Sequence, residues 1–366
     1  MTTIDSNVPV PSEEPTTKKV AARGRKKKAT AKPSGAAELL AALKFIMPAQ
    51  KPNGTKYQTH CIISGHWCVA FDEVLTIGCK VPEDISACPH STSLAAALAK
   101  CGETISITQL NESVLNVKSD RFKANINCVN MEDMPISAPD PPAIGADDNM
   151  KKAIGAFAWL LLDNSPQAVF KSAVCLQSQT LVATNGMVLL EYWHGVELPV
   201  TILIPKQSAI AVANCPKQLV AIGGSENSVT FHFSDESFIK TQVYKDRYPG
   251  YQAIFNSIPD NPTPLPAGFF EAIDAVADFS ERKFVFLRGD RIQSHKDDGI
   301  GAAFELNGLP NGFSFNYEFL KGAQPYFEQT TFLAGKVKFQ SGNVRGVIAG
   351  GNHDESNVQP QTTGQG

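Results

Sequence analysis

The stretches AAELLAALKFIMPA (residues 36–49), DNMKKAIGAFAWLLLD (148–163) and PAGFFEAIDAVADFS (266–280) decide the fold, because they are three versions of one element. In each, apolar residues recur three or four apart: Leu39, Leu40, Leu43 and Ile46, then Ile154, Phe157, Leu160 and Leu161, then Phe269, Ile273 and Val276. That spacing gives a helix with one buried face. The three starts lie 112 and 118 residues apart. Recurrence at a domain-sized interval points to a repeated unit, so the same neighbours should follow each copy.

They do. Short runs rich in β-branched and apolar residues come next: HCIISGHWCVAFD and VLTIGCKVP, then AVCLQSQTLVATN and MVLLEYW, then FVFLRGDRIQSH and IGAAFEL, which read as strands. A second helical stretch follows in every copy, STSLAAALAKCG from Ser91, PKQSAIAVANC from Pro205 and NYEFLKGAQPYF from Asn316, spaced 114 and 111 residues apart. Further strands close each unit. Connections of hairpin length forbid parallel crossovers, so each unit is α+β, with two helices packed on antiparallel sheet. Three tandem units are expected, over 36–140, 145–258 and 264–350, with proline-rich junctions at PISAPDPP (135–142) and PDNPTPLP (259–266).

The chain has 366 residues, 43% of them hydrophobic and 19% charged, enough for several ordinary cores. Residues 1–35 and 351–366 hold few large apolar groups and are expected to be disordered. The net charge of −3 hides an asymmetry. Between Lys18 and Lys32 stand eight Lys or Arg and no acid, whereas from residue 33 onward 25 basic face 33 acidic groups. The body is acidic, so any attraction for nucleic acid has to be concentrated locally. The bland reading of the arm is a solubilising tail; the functional one is a weak, sequence-independent phosphate contact.

No run reaches the ~18 apolar residues that a membrane span needs, and the polar N-terminus lacks the apolar core of a signal peptide. A cytoplasmic place is expected. The eight cysteines read as free thiols in a reducing compartment, since disulfide scaffolds are shorter and denser in Cys. No phosphate loop, GxSxG elbow or HExxH pair occurs, so no enzymatic reading is carried. His60, Cys61, His66, Cys68, Cys88 and His90 crowd the first unit, but not at the paired spacings of a structural zinc site, and strand alternation is expected to turn Cys61 and Cys68 apart. No metal or cofactor is expected.

Three local stretches resemble the bacterial DNA polymerase III β sliding clamp family, in that family's order: SDRFKANINCVNMEDMP (119–135), LVATNGMVLL (181–190) and FIKTQVYKDRYPGYQAIF (238–255). The second is similar to the family's ATDGHRLA turn and the third to its F-P-D-Y segment. With the threefold repeat, the resemblance covers roughly residues 36 to 350. It implies a non-catalytic processivity factor: a head-to-tail homodimer closed around double-stranded DNA without sequence preference, tethering a polymerase and served by a clamp loader. The departures and the two terminal segments point to a bacteriophage-encoded member.

The resemblance also implies site residues. Lysines on the helices lining the hole, or at their edges, would face phosphates: Lys44, Lys51, Lys56, Lys100, Lys151, Lys152, Lys206, Lys217 and Lys321. By default a lysine on the polar side of a helix is merely solvated, and the third unit's first helix carries Glu271, Asp274 and Asp278 instead. A cleft between units two and three would take a short linear peptide from partners. Its wall would comprise Phe170, Thr184, Gly186, Met187, Val188, Leu189, Ile254, Val347 and Ile348; the bland alternative is core packing. Here ATNGMVLL lacks the Asp, His and Arg of the family's turn, and VIAGGNH replaces its M-P-M-R-L ending. The ring interface would join the strand holding Ala124 and Ile126 to the helix end at Val276 and Phe279. The rival reading is a clamp-like adaptor or transcription cofactor that does not close a ring.

Overall fold

The structure, a computed structural model, describes residues 35–352 apart from 103, 137, 164, 298 and 334. The basic arm and the C-terminal tail lie, but for Gly35, Gly351 and Asn352, outside the described residues.

Six helices form at the six expected places, each shorter than its apolar pattern: Ala36–Ile46, Ser91–Leu98, Asp148–Ala156, Lys206–Ala213, Phe269–Ala277 and Tyr317–Ala323. Local chemistry sets their ends. Pro48 cannot continue an α-helix, so the first tightens into a 3₁₀ turn at Met47–Ala49,. Asp147 starts the third by accepting from the backbone of Asn149 and Met150 at 3.0 and 3.1 Å,. The helices pack in pairs within each unit. In the second unit Gly155 permits the approach, since a Cβ there would stand 2.8 Å from that of Ala213.

All strand pairing is antiparallel, but the strands of each unit do not make one sheet. Unit one's Ile62–Ser64, Trp67–Phe71 and Leu75–Lys80 continue into unit two's Phe238–Gln242, Ser228–Phe233 and Leu219–Gly224. The seam pairs Phe238 with Gly78 and Ile239 with Ile77. A second seven-stranded sheet runs from unit two's Val188–Trp193 into unit three's Val344–Ala349, pairing Leu189 with Val347 and Glu191 with Arg345. Seam pairing satisfies edge N–H and C=O groups that sheets closed unit by unit would leave open. The remaining strands form a four-stranded sheet in unit one and a five-stranded sheet in unit three. One main core runs through all three units, and a smaller apolar cluster lies apart from it around Leu189, Tyr251 and Val347.

One sequence expectation is corrected. Cys61 and Cys68 do not point apart; both are fully buried in the same core. The two-residue turn at Gly65 and His66, with φ of +58° and +63°, sets Ile63 opposite Cys68. Residues opposite one another share a face, and Cys61 lies two residues from Ile63. Among the described residues no group of three or more His, Cys, Asp or Glu is placed to hold a metal ion, and no helix is long and apolar enough to cross a membrane.

Candidate partner cleft, helix face and end strands

The smaller cluster marks the cleft region. Strand alternation puts Leu189 and Glu191 on one face of Val188–Trp193, and Val347 and Arg345 on the same face of the paired strand,. Over this face lies the segment YPGYQAIF (248–255) with its helix Gln252–Asn256. Phe170, Tyr248, Tyr251 and Phe255 form a chain of edge-to-face rings, each pair of centroids 6.1 to 6.2 Å apart, a favoured geometry. Phe255 ends under Arg345, whose guanidinium sits 4.3 Å from the ring centroid. Arg345 Nε also donates to the Glu191 carboxylate, and Tyr251 Oη lies 2.7 Å from the other Glu191 oxygen. The charged Glu191 is thus buried with both oxygens engaged. Burial, joined by the bond to Glu191, pushes the Tyr251 phenol well above its ordinary pKa, so it stays a donor.

The rim is built by the turn after Thr184. Asn185 Oδ1 accepts from the backbone of Met187 and Val188 at 2.9 and 2.8 Å, and Thr184 Oγ1 donates to the Val188 carbonyl at 2.6 Å. The neutral amide oxygen of Asn185 does what an Asp carboxylate would do there. Gly186 has a φ of +94°, and a Cβ on it would meet Lys171 Nζ at 2.9 Å. The turn pushes Met187 outward, 45% exposed; Ile254, 40% exposed, stands on the covering helix. Adaptable methionine and aliphatic groups at a rim suit an apolar ligand.

The nine residues expected in the cleft therefore divide. Phe170, Leu189 and Val347 belong to the outer cluster, Met187 and Ile254 are exposed, and Thr184 and Gly186 build the turn. Val188 and Ile348 belong to the main core; one residue of phase carries each to the opposite face. Sequence reasoning missed Tyr248, Tyr251, Phe255, Glu191 and Arg345, although the alternation in VLLEYW and VRGVIAG puts the last two in phase with Leu189 and Val347. A cavity of about 640 Å³ adjoins the cluster, lined among others by Glu191, Trp193, Glu328 and Arg345.

The nine lysines differ in what they already hold. Lys56 pairs with Asp133 at 2.8 Å, Lys206 with Asp163 at 2.7 Å and Lys321 with Asp274 at 2.6 Å. Lys217 pairs with Asp235 and lies 4.0 Å over the Phe45 ring. Lys151 is spent on the end of helix Lys206–Ala213, donating to the carbonyls of Cys215 and Lys217 at 3.3 and 2.5 Å, and pairs with Asp148. Lys51 donates to the Asp72 carbonyl at 3.1 Å. Lys44, Lys100 and Lys152 are exposed, and no ion pair holds them among the described residues.

In unit one, Phe122–Val129 pairs along one edge with Val114–Ser119, while Cys88–Pro89 covers only Cys128 and Val129 on the other. Among the described residues no strand covers that second edge from Phe122 to Ile126. Ala124 is half-buried and Ile126 buried in its own core. In unit three Val276 is likewise core, whereas Phe279 is 57% exposed.

Neither a family profile nor a curated protein sequence matches this chain. Solved structures do match. The DNA polymerase III subunit beta from Pseudomonas aeruginosa superposes with a TM-score of 0.74 at 13% identity, over 88% of this chain and 100% of that one. The C. crescentus beta sliding clamp gives 0.74 at 16% identity, over 88% and 99%. The Helicobacter pylori beta clamp bound to a DNA ligase peptide gives 0.71 at 11%, again over 88% and 99%. The chain has the fold of these clamps along their whole length. They are bacterial proteins and do not bear on a bacteriophage source.

Proposed function

We propose that this chain is a DNA sliding clamp, a non-catalytic, cytoplasmic processivity factor that encircles duplex DNA and tethers a polymerase and other partners. The observation that carries the reading is the fold shared with bacterial clamps over 88% of this chain and 100% of the Pseudomonas aeruginosa chain. Two copies would meet head to tail, the open edge of Phe122–Val129 joining the end of unit three near Phe279. Six units would then form the ring, with helices toward the DNA. Phosphate attraction without base contacts suits a body that has to slide. The cleft rimmed by Phe170, Met187 and Ile254, over Leu189 and Val347, would take an apolar peptide segment of the polymerase or clamp loader. A related clamp has been solved with a DNA ligase peptide, which supports such a use.

Light scattering on a sizing column is the test, followed by loading onto nicked circular duplex with a clamp loader and linearisation of the circle. The expected mass is twice 39.4 kDa, with protein kept on circles and shed from linear DNA. A monomer that holds circular and linear DNA alike would overturn the ring and leave the adaptor reading.

A further inference from the structure

We infer that the partner segment taken up by the cleft is acidic as well as apolar, its side-chain carboxylates received by Lys171 and Lys336. The inference rests on the cleft reading above and deepens it.

The rim of the cleft is a row across the seam sheet. The Met187 carbonyl accepts from the backbone of Ala349 at 2.8 Å, Ala349 pairs with Lys336, and Lys336 pairs with Leu333. Met187 lies two residues from Leu189 and Ala349 two from Val347, so the row stands on the same outer face,. Met187 and Leu333 are exposed, as is Ile254, and Lys336 lies two strands from Met187, about 10 Å away. On the other side of Met187, Lys171 holds its Nζ 2.9 Å from where a Gly186 Cβ would stand. Two half-buried cations thus flank an apolar rim. Neither stands in an ion pair among the described residues. The other lysine and the arginine of this face are taken, Lys338 by Asp260 and Arg345 by Glu191, and those two carboxylates are spent in the same pairs. The turn supplies no counter-charge, because the neutral Asn185 caps it. The rim therefore keeps positive charge on a body that is acidic overall, and a carboxylate brought in with an apolar ligand answers it. That carboxylate belongs to a side chain. Capture of a chain terminus uses free backbone N–H groups, and those beside Lys171 are spent: Gly186 donates to Thr184, Met187 and Val188 to Asn185, and Ser172 to Val169. Duplex phosphates are not the ligand of this pair, since Lys171 stands on a 3₁₀ turn and Lys336 on a strand of the sheet face, away from the helices read as facing DNA.

Binding of short, labelled, C-terminally amidated peptides of Leu, Phe and Ser to the full chain would be followed by fluorescence anisotropy, with Asp placed at each position in turn and Asn at the same position as its control. On the unaltered chain Asp should tighten binding about three- to tenfold over Asn at the positions that reach the lysines. The gain should shrink between about 0.1 M and about 1 M salt. Lys171→Gln combined with Lys336→Gln should bring the Asp and Asn affinities together while the Asn peptides bind as before, and Lys171→Arg combined with Lys336→Arg should keep the gain. Ile254→Glu should abolish binding of every peptide, which places them in the cleft. An unaltered chain indifferent to Asp, a gain that persists in the Gln variant, a gain supplied by a free C-terminal carboxylate in place of Asp, or binding that survives Ile254→Glu would each overturn the inference. Binding in the cleft without a preference for Asp leaves the cleft reading standing and removes only the inference; no binding by any peptide removes both.

Discussion

Gly186 and Arg345 show how single residues hold the cleft in shape. Gly186→Ala asks an L-residue to take a left-handed φ beside Lys171, at about 1 to 2 kcal/mol, and should lower the urea midpoint without changing its slope. Arg345→Ala removes the cation from the buried Glu191 carboxylate. The loss should be about 2 kcal/mol, below the 3 to 5 typical of fully buried pairs because the Arg345 side chain is 43% exposed,. Adding Glu191→Gln should recover part of it, whereas a purely additive double variant would show that the pair does not couple. His194 gives a pH signature. Burial depresses its pKa below 6.5 in the fold, so the unfolded chain takes up its proton first. The stability this group contributes is present above pH ~6.5 and drains away as pH falls through the folded pKa. His60 is depressed by burial in the same direction. The thermal midpoint should therefore fall between pH ~7 and ~5.5, and fall less in His194→Asn.

Among the elements, the helix pair of unit two depends on the bare Cα of Gly155 against Ala213. Gly155→Leu should force these helices apart and cost about 1 to 3 kcal/mol, read by calorimetry. Helices and most strands were legible in the sequence because their patterns are local: a 3.6-residue stripe around Leu39 and Leu43, or alternation in VLLEYW. Of the candidate cleft, the sequence showed the turn in LVATNGMVLL and placed Ile254 near it. Val188 and Ile348 turn into the main core instead, because neighbours along a strand face opposite ways and a list made by position ignores that phase,. The Tyr251, Glu191 and Arg345 triad was hidden because its members lie up to 154 residues apart, and only the seam pairing of Glu191 with Arg345 brings them together. Lysine commitments such as Lys151 on the Cys215 carbonyl escaped for the same reason.

For the molecule as a whole, the seam between units one and two is tight where Gly78 faces Phe238. A Cβ on Gly78 would stand 2.4 Å from that ring, so Gly78→Val should displace Phe238 and cost about 1 to 3 kcal/mol. Because the damage falls on the strand pair shared by two units, calorimetry should resolve unit one melting apart from the rest, where the unaltered chain melts together. The same shared sheets have a mechanical consequence. A chain whose three units share two continuous antiparallel sheets has no free hinge at either junction, because bending there would break ladder hydrogen bonds,. A force applied to one unit is then passed to the next through paired backbone and not through a loose linker.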